Sequence, residues 1–348
     1  MCPIIGAFRF LFMAAECTNN FNLLMSEIKL MVGGQAVIEG VMMRTPEMVT
    51  VACRRADGSI TVWKKPFRSW LSRHRLLSLP VFRGAIVLVE ALALGMQALT
   101  YSGDLAERDF AAKNNGQTPE NVMLPGKRSS GQKFRMAFSI IFALALGLGI
   151  FFYVPLLLTD WLGAHSGFWF NLIDGLIRLI FFLAYITLIS QMRDIRRVFE
   201  YHGAEHKSIF NYEAKTALTP ENSAKFSRFH PRCGTSFLLI VMVVSIFVFM
   251  LLGRPENVAD RLLRLAFIPL IGGISYEFIR LSGKGYGHPF WNVLIAPGLW
   301  LQRLTTREPD HSQLEVAIVA LKAALGEAVE SVPNVVVEGE QTLAAEAV

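Results

Sequence analysis

Phe237-Leu238-Leu239-Ile240-Val241-Met242-Val243-Val244-Ser245-Ile246-Phe247-Val248-Phe249-Met250-Leu251-Leu252 carries no charge and a single hydroxyl. As a helix it satisfies its own backbone N–H and C=O groups, which is what hydrocarbon demands of a buried segment. It is short for a span unless the helix begins near Pro231. Three more runs of this kind stand at 136–158, 171–192 and 262–281, giving four expected core transmembrane helices. Composition agrees. The chain is 53% hydrophobic and 18% charged, with 26 phenylalanines and a mean hydropathy of +0.40, whereas soluble domains are about 45–50% apolar. The fold class that follows is an α-helical polytopic membrane protein with soluble appendages.

Outward from these runs the pattern is less regular. Segment 84–102 is apolar but holds Glu90 and Gln97, and both flanks are basic: Arg83 before it, Lys113, Lys127, Arg128 and Lys133 after it. A full span would strand one basic flank outside, so a re-entrant or surface-buried helix is expected. Segment 289–304 contains Pro297-Gly298 and reads as a half-span or interfacial helix. Between 66 and 83, Arg68, Arg73, Arg75 and Arg83 surround Trp70, the composition of an interfacial, lipid-facing helix. Residues 102–132 read as a polar linker.

The amino-terminal third differs in kind. Residues 32–44 and 48–54 have the composition of short strands, and Asp57-Gly58 turns the chain into Ser59-Ile60-Thr61-Val62-Trp63. A small β-rich domain is expected over 29–67, with its glycines in tight turns, since their spacing is no phosphate loop. Residues 1–28 read as a loose extension, with Met25 or Met31 as an alternative start. The expected organisation is therefore 1–28 extension, 29–67 β-rich domain, 68–133 interfacial helices and linker, 134–306 membrane core, and 307–348 an amphipathic helix with a loose tail.

The net charge of +6 points to membrane surfaces, because no aromatic-rich basic motif accompanies it and no nucleic-acid partner is expected. Cys2, Cys17, Cys53 and Cys233 form no CxxC pair, which argues against a disulfide framework and for a reducing compartment. The loop 193–236 carries Arg193, Arg196, Arg197, Lys207, Lys215, Lys225, Arg228 and Arg232, while 159–170 carries no lysine or arginine. By the positive-inside rule the first loop is cytoplasmic and the protein is a multi-pass resident of the cytoplasmic (inner) membrane. The end of span two, the start of span three and the end of span four then share one membrane face.

That face holds the chemistry. Tyr201-His202-Gly203-Ala204-Glu205-His206-Lys207 contains H-x-x-E-H, whose histidines project from one side of a helix. It is the spacing of inverted zinc-hydrolase motifs, where the histidines hold the metal and the glutamate takes a proton from the attacking water. His230-Pro231-Arg232-Cys233 follows, with Pro231 suited to the first helical position, His230 to the cap, and Cys233 to the first turn. Two ligand sets are open. In one, His202, His206, His230 and Cys233 close a tetrahedral Zn²⁺ site; in the other, three ligands leave a place for water and Glu205 is the catalytic base. Glu277, in a later apolar run, is a reserve metal ligand. The plainer alternatives are histidines bonded to lipid phosphate or backbone, arginine partners for Glu90 and Glu277, and a one-turn Asp174–Arg178 pair.

Four motifs carry a resemblance. Gly33-Gly34-Gln35-Ala36-Val37-Ile38-Glu39-Gly40-Val41-Met42-Met43-Arg44, the two histidine stretches extended through Gly234-Thr235-Ser236-Phe237, and Pro297-Gly298-Leu299-Trp300-Leu301-Gln302-Arg303-Leu304-Thr305-Thr306-Arg307-Glu308-Pro309 resemble the YqhQ-like family of bacterial membrane proteins. The likeness runs from about 32 to 321, and departs in the amino-terminal extension and at Thr45. That family is a domain of unknown function often labelled a predicted metal-dependent enzyme. The resemblance implies an integral membrane protein and agrees with a metal site, without supplying a reaction. The expectation that results is a Zn²⁺-dependent hydrolase at the inner face, with the lipid bilayer and a membrane-associated peptide, lipid-linked substrate or protein as partners. The competing expectation is a non-catalytic scaffold or assembly factor with a structural metal; a transporter lacks support, since no internal repeat is visible.

Overall fold

The computed structural model describes residues 32–72, 79–115, 130–163, 166–284 and 288–338. The expected amino-terminal extension lies outside the described residues, as does much of the basic stretch after Trp70, of which a short 3-10 turn at Trp70–Ser72 is described.

Strands β1 (Gly33–Val37), β2 (Gly40–Arg44), β3 (Met48–Arg54) and β4 (Ile60–Pro66) form an antiparallel meander. The expected Asp57-Gly58 turn joins β3 to β4, with Gly58 at φ +88° and the Asp57 carboxylate accepting from Ser59 N at 2.8 Å. Residues 32–44 fold back on themselves, because Ile38-Glu39 makes a two-residue turn with Glu39 at φ +52°. The Glu39 side chain is then held by Arg197 and, at 3.3 Å, by the Tyr201 hydroxyl.

The helices, in chain order, are α1 (Phe82–Asn115), α2 (Ser130–Leu148), α3 (Val154–Trp161), α4 (Gly167–Ile189), α5 (Arg193–Glu213) and α6 (Pro220–Ala224). They continue as α7 (Gly234–Leu252), α8 (Val258–Ala266), α9 (Ile268–Lys284), α10 (Pro289–Thr305) and α11 (His311–Ala324). After α11 the chain returns as β5 (Val335–Glu338), parallel to β4, where a loose tail was expected.

The strands are buried on both sides, which requires cover on both faces. Val41, Met43, Ala52, Ile60 and Val62 pack with Tyr201, Ala204 and Ile209 of α5 and with Leu314 through Ala324 of α11. Val37, Met42, Val49, Val51, Cys53 and Trp63 pack with Leu94, Ala98, Tyr101 and Leu105 of α1. Helix α1 is therefore unbroken for 34 residues. Of the two alternatives expected for 84–102, re-entrant or surface-buried, the helix does not take the reversal of the first, and 102–115 continues it instead of forming linker. Arg55 fixes that continuation, donating to Asp109 through Nε at 2.8 Å and Nη2 at 2.6 Å.

Five stretches are long and apolar enough to cross a membrane: Phe82–Asn114, Ile141–Trp161, Gly167–Ile189, Gly234–Leu252 and Val258–Ser282. The protein is a multi-pass, mainly helical membrane protein with a small amino-terminal sheet, and α1 adds a fifth such helix to the four expected. The fourth expected run is broken at Phe267, between α8 and α9. Within the bundle, the π-helical turn Gly149–Tyr153 between α2 and α3 frees carbonyls from the regular ladder. Arg178 donates to two of them, Phe151 O and Phe152 O, and grips Asp174 at 2.8 and 3.1 Å, as its one-turn spacing foretold.

Removing one member of this buried pair leaves the other charge uncompensated, which costs about 3–5 kcal/mol. Asp174→Ala is expected to lower the thermal midpoint in detergent sharply, and Asp174→Ala/Arg178→Leu to recover most of the loss; equal midpoints for wild type and Asp174→Ala would contradict this.

A candidate metal centre at the foot of the membrane helices

Helix α5 is not the continuation of the second span. Ser190, Gln191 and Met192 break the chain, Met192 is extended (φ −71°, ψ 135°), and α5 starts afresh to lie on β1, β2 and α11. Its opposite side meets the membrane helix ends. The strand-like exit of α10 crosses it at Gly203, where an added Cβ would stand 2.0 Å from Arg307 O, and Arg307 N donates to Phe199 O at 2.8 Å. Only a glycine admits that crossing, and the crossing delivers Thr305 O to His202.

Cys233 is itself the cap of α7, at φ −67° and ψ 141°, with Sγ accepting from Thr235 N at 3.4 Å. The helix thus begins three residues later than Pro231 suggested, and His230-Pro231-Arg232 form a turn closed by Cys233 N to His230 O at 3.3 Å. The thiol stands at the positive end of a helix, where a thiolate is favoured.

His202, His206 and Cys233 present ligand atoms all within 4.8 Å of one another. His202 Nε2 lies 3.2 Å from Cys233 Sγ, and the two imidazole centroids are 4.4 Å apart. The other nitrogen of each ring faces a main-chain carbonyl. His202 Nδ1 is 2.8 Å from Thr305 O, and His206 Nδ1 is bonded to Arg228 O. A carbonyl can only accept, so each Nδ1 carries a hydrogen, and it is Nε2 that faces the sulfur, donating to it when the ring is protonated and open to a metal once that proton is lost. Metal-bound histidines are commonly held in this way.

Burial alone would raise the Cys233 thiol, but His202 and His206 beside it outweigh that and hold it well below the ordinary thiol range. Burial likewise presses His202 down, and the Cys233 sulfur more than reverses it, to about 9. For His230 burial, then the neighbouring His206, prevail over the Cys233 sulfur and push it to about 3.

The remaining sequence-selected residues are distributed as follows. Glu205 Oε2 is 4.0 Å from His202 Nε2, and its side chain is 8% exposed. It sits against Gly34 of β1, where an added Cβ would meet Glu205 Cγ at 2.7 Å. Among the described residues no lysine or arginine pairs with Glu205. His230 lies next to the trio, its ring 5.6 Å from that of His206, but outside the converging group. Its Nδ1 accepts from Arg232 N at 3.3 Å, and its Nε2 faces Glu213 Oε2 at 3.7 Å. Glu277 is not brought to the trio: both its oxygens are taken by Arg83, the arginine partner that the plainer reading anticipated. Glu90 is likewise engaged, by Ser69 Oγ at 2.9 Å, by Trp70 N at 2.6 Å and by Arg44 at 3.7 Å.

Sequence reasoning missed the residues that hold the trio in place. Thr305 and Arg228 act through carbonyls, which no side-chain pattern reveals. Gln302 accepts from His230 N at 2.7 Å and donates to His230 O at 2.8 Å and Ser236 Oγ at 3.0 Å. The available signal was the stretch 297–309, which carries part of the resemblance and contains both Gln302 and Thr305.

The family model described as "Protein of unknown function (DUF1385)" matches residues 79–327. The "Uncharacterized protein YqhQ" of Bacillus subtilis (strain 168) is 37% identical over 299 residues, covering 84% of this chain and 92% of that one. No solved structure matches.

Gln302→Leu is expected to strand the amide and carbonyl of His230, each unmet buried group costing about 1–3 kcal/mol. Thermal unfolding in detergent should show a midpoint several degrees below wild type; an unchanged midpoint would mean that Gln302 does not support this turn.

Proposed function

The chain belongs to the DUF1385 family, whose function is unknown, and from that premise we propose that it is a Zn²⁺-dependent hydrolase of the cytoplasmic membrane. In this reading the site faces the inner leaflet and acts on a membrane-associated peptide or lipid-linked substrate. One observation carries it: two imidazoles, each with Nδ1–H on a main-chain carbonyl, converge with the Cys233 sulfur so that their ligand atoms lie within 4.8 Å of one another.

The donor set fits the ion. Two nitrogens and a thiolate are borderline-soft ligands of the kind Zn²⁺ takes, and their spread of 4.8 Å or less matches one small cation. His202, His206 and Cys233 would hold it, and three protein ligands are the number that catalytic zinc sites use. When bound, the ion supplies Lewis acidity. The protein supplies the rest. Glu205, unpaired with any lysine or arginine among the described residues and 4.0 Å from His202 Nε2, accepts the proton of the attacking water. Gln302 and Thr235 keep the α7 cap in position. The lysines and arginines of 193–236 support the cytoplasmic orientation.

A second reading is favoured by burial. His206 and Cys233 are only 2% and 5% exposed, and the three ligands come from a sheet-packed helix and a membrane helix. A metal there would staple the two together without catalysing anything, as in a scaffold or assembly factor.

Metal analysis of detergent-purified protein is expected to find about one zinc per chain in wild type and little in His202→Ala/His206→Ala. Equal zinc in both would remove the proposal. Glu205→Gln then separates the two readings. It should keep the zinc and lose cellular function if Glu205 is the base, an effect of about 10²–10⁴ on turnover. Full complementation of a deletion strain by Glu205→Gln would leave only the structural role.

A further inference from the structure

Helix α7 carries Cys233 at one end and reaches Gly253 at the other; its 19 residues span about 28 Å, close to the hydrocarbon thickness of a bilayer. The far end of the bundle therefore lies at the opposite leaflet, and it collects arginines. Arg178 is paired with Asp174 and Arg254 with Asp160. Arg264 donates to Asn171 Oδ1 at 2.8 Å and Gly253 O at 2.5 Å, with its guanidinium 4.9 Å from the Phe249 ring centre. Arg261, one turn earlier on α8, is placed differently. Its Nε is buried without a hydrogen-bond partner, its guanidinium stands 5.9 Å from the Tyr153 ring centre, and it has no acidic partner among the described residues. The adjacent Asp260 is occupied by the backbone N–H groups of Glu256, at 2.9 Å, and Asn257, at 3.3 Å.

Beside Arg261 runs a groove of about 120 Å³ between α8 and the π turn with α3. Phe152, Tyr153, Leu156, Leu262 and Leu265 line it with apolar surface, and Arg261 is the charged residue in its wall. Val258 and Leu262, on the same helix, are 69% and 60% exposed, as residues facing acyl chains are in a spanning helix. What reaches such a groove in a bilayer is lipid, and an arginine at its edge is expensive there unless an anion answers it.

We infer that this groove holds part of an acyl chain of an anionic phospholipid whose phosphate sits on Arg261. The chemistry is complementary at both ends: the walls match hydrocarbon, and the planar guanidinium matches phosphate in a fork geometry that a zwitterionic headgroup partly neutralises. The inference is independent of the zinc reading, since it uses none of the same residues.

The test is native mass spectrometry of the full chain released from detergent with added phosphatidylglycerol or phosphatidylcholine. Wild type should retain phosphatidylglycerol over phosphatidylcholine by about fivefold, the effect of one arginine near an anionic surface. Arg261→Gln should abolish the preference, and Val258→Trp, which fills the groove while leaving the guanidinium, should lower total lipid retained. Circular dichroism would confirm that both variants fold. Equal retention of the two lipids by wild type, or an undiminished preference in Arg261→Gln, would overturn the inference. So would displacement of the bound lipid by millimolar inorganic phosphate, which would identify a free-anion site instead.

Discussion

A sheet apolar on both faces has to be covered on both, and most of the architecture follows from how this chain meets that demand. One face takes the middle of α1, from Leu94 to Leu105, and the helix runs on to Asp109 and beyond. The other takes α5 and α11. Helix α5 is thereby fixed between the sheet and the feet of α7 and α10. A helix has room for such double duty only if its polar side groups find partners at once, and those of α5 do: Lys207 reaches Ala224 O at 2.9 Å, and Asn211 reaches Ser223 Oγ at 2.9 Å. His202 and His206 sit in that seam because their side of α5 is the one the sheet leaves free.

The polar groups inside the bundle obey a similar constraint with different partners. In hydrocarbon an unmatched charge or carbonyl is costly, so the chain pairs them locally. Arg178 answers both Asp174 and two carbonyls freed by the π turn, joining three elements through one side chain. Arg83 and Glu277 tie the start of α1 to α9. These contacts explain charges that would otherwise mark a transport path, and they leave the histidine–cysteine trio as the one group of converging His, Cys, Asp or Glu ligand atoms among the described residues.

What the sequence revealed depended on whether the signal was local. Long apolar runs, the Asp57-Gly58 turn and the Asp174–Arg178 spacing depend on residues within a few positions, and each was legible. The turn at Ile38-Glu39 was not, because glutamate at positive φ is held by Arg197 and Tyr201, far along the chain. β5 was hidden for the same reason: Val335-Val336-Val337 is a plain short strand, and only its neighbour β4 makes it part of a sheet. At the site, H-x-x-E-H placed two imidazoles on one face, but the alignment of Cys233 with them, the exclusion of Glu277 and the two carbonyl anchors belong to tertiary packing. The cap of α7 was misjudged because proline suits a first helical turn, yet a sulfur that accepts Thr235 N serves as a cap three residues later.

Whether such a centre does chemistry turns on Glu205. A carboxylate that served only to bind metal would belong among the converging atoms, and one that served only as an ion-pair partner would be met by a lysine or arginine. Glu205 does neither among the described residues. It lies 4.0 Å from His202 Nε2, pressed against a strand that is glycine at the point of contact. Holding a carboxylate at 8% exposure with only His202 facing it, at 4.0 Å, costs free energy, and a positive ion beside it would recover part of that cost. A structural staple needs the two histidines and the cysteine and gains little from such a neighbour. In the catalytic reading proposed above a base has to stand next to the ligand set without joining it, and Glu205, 4.0 Å from His202 Nε2, lies beside that set.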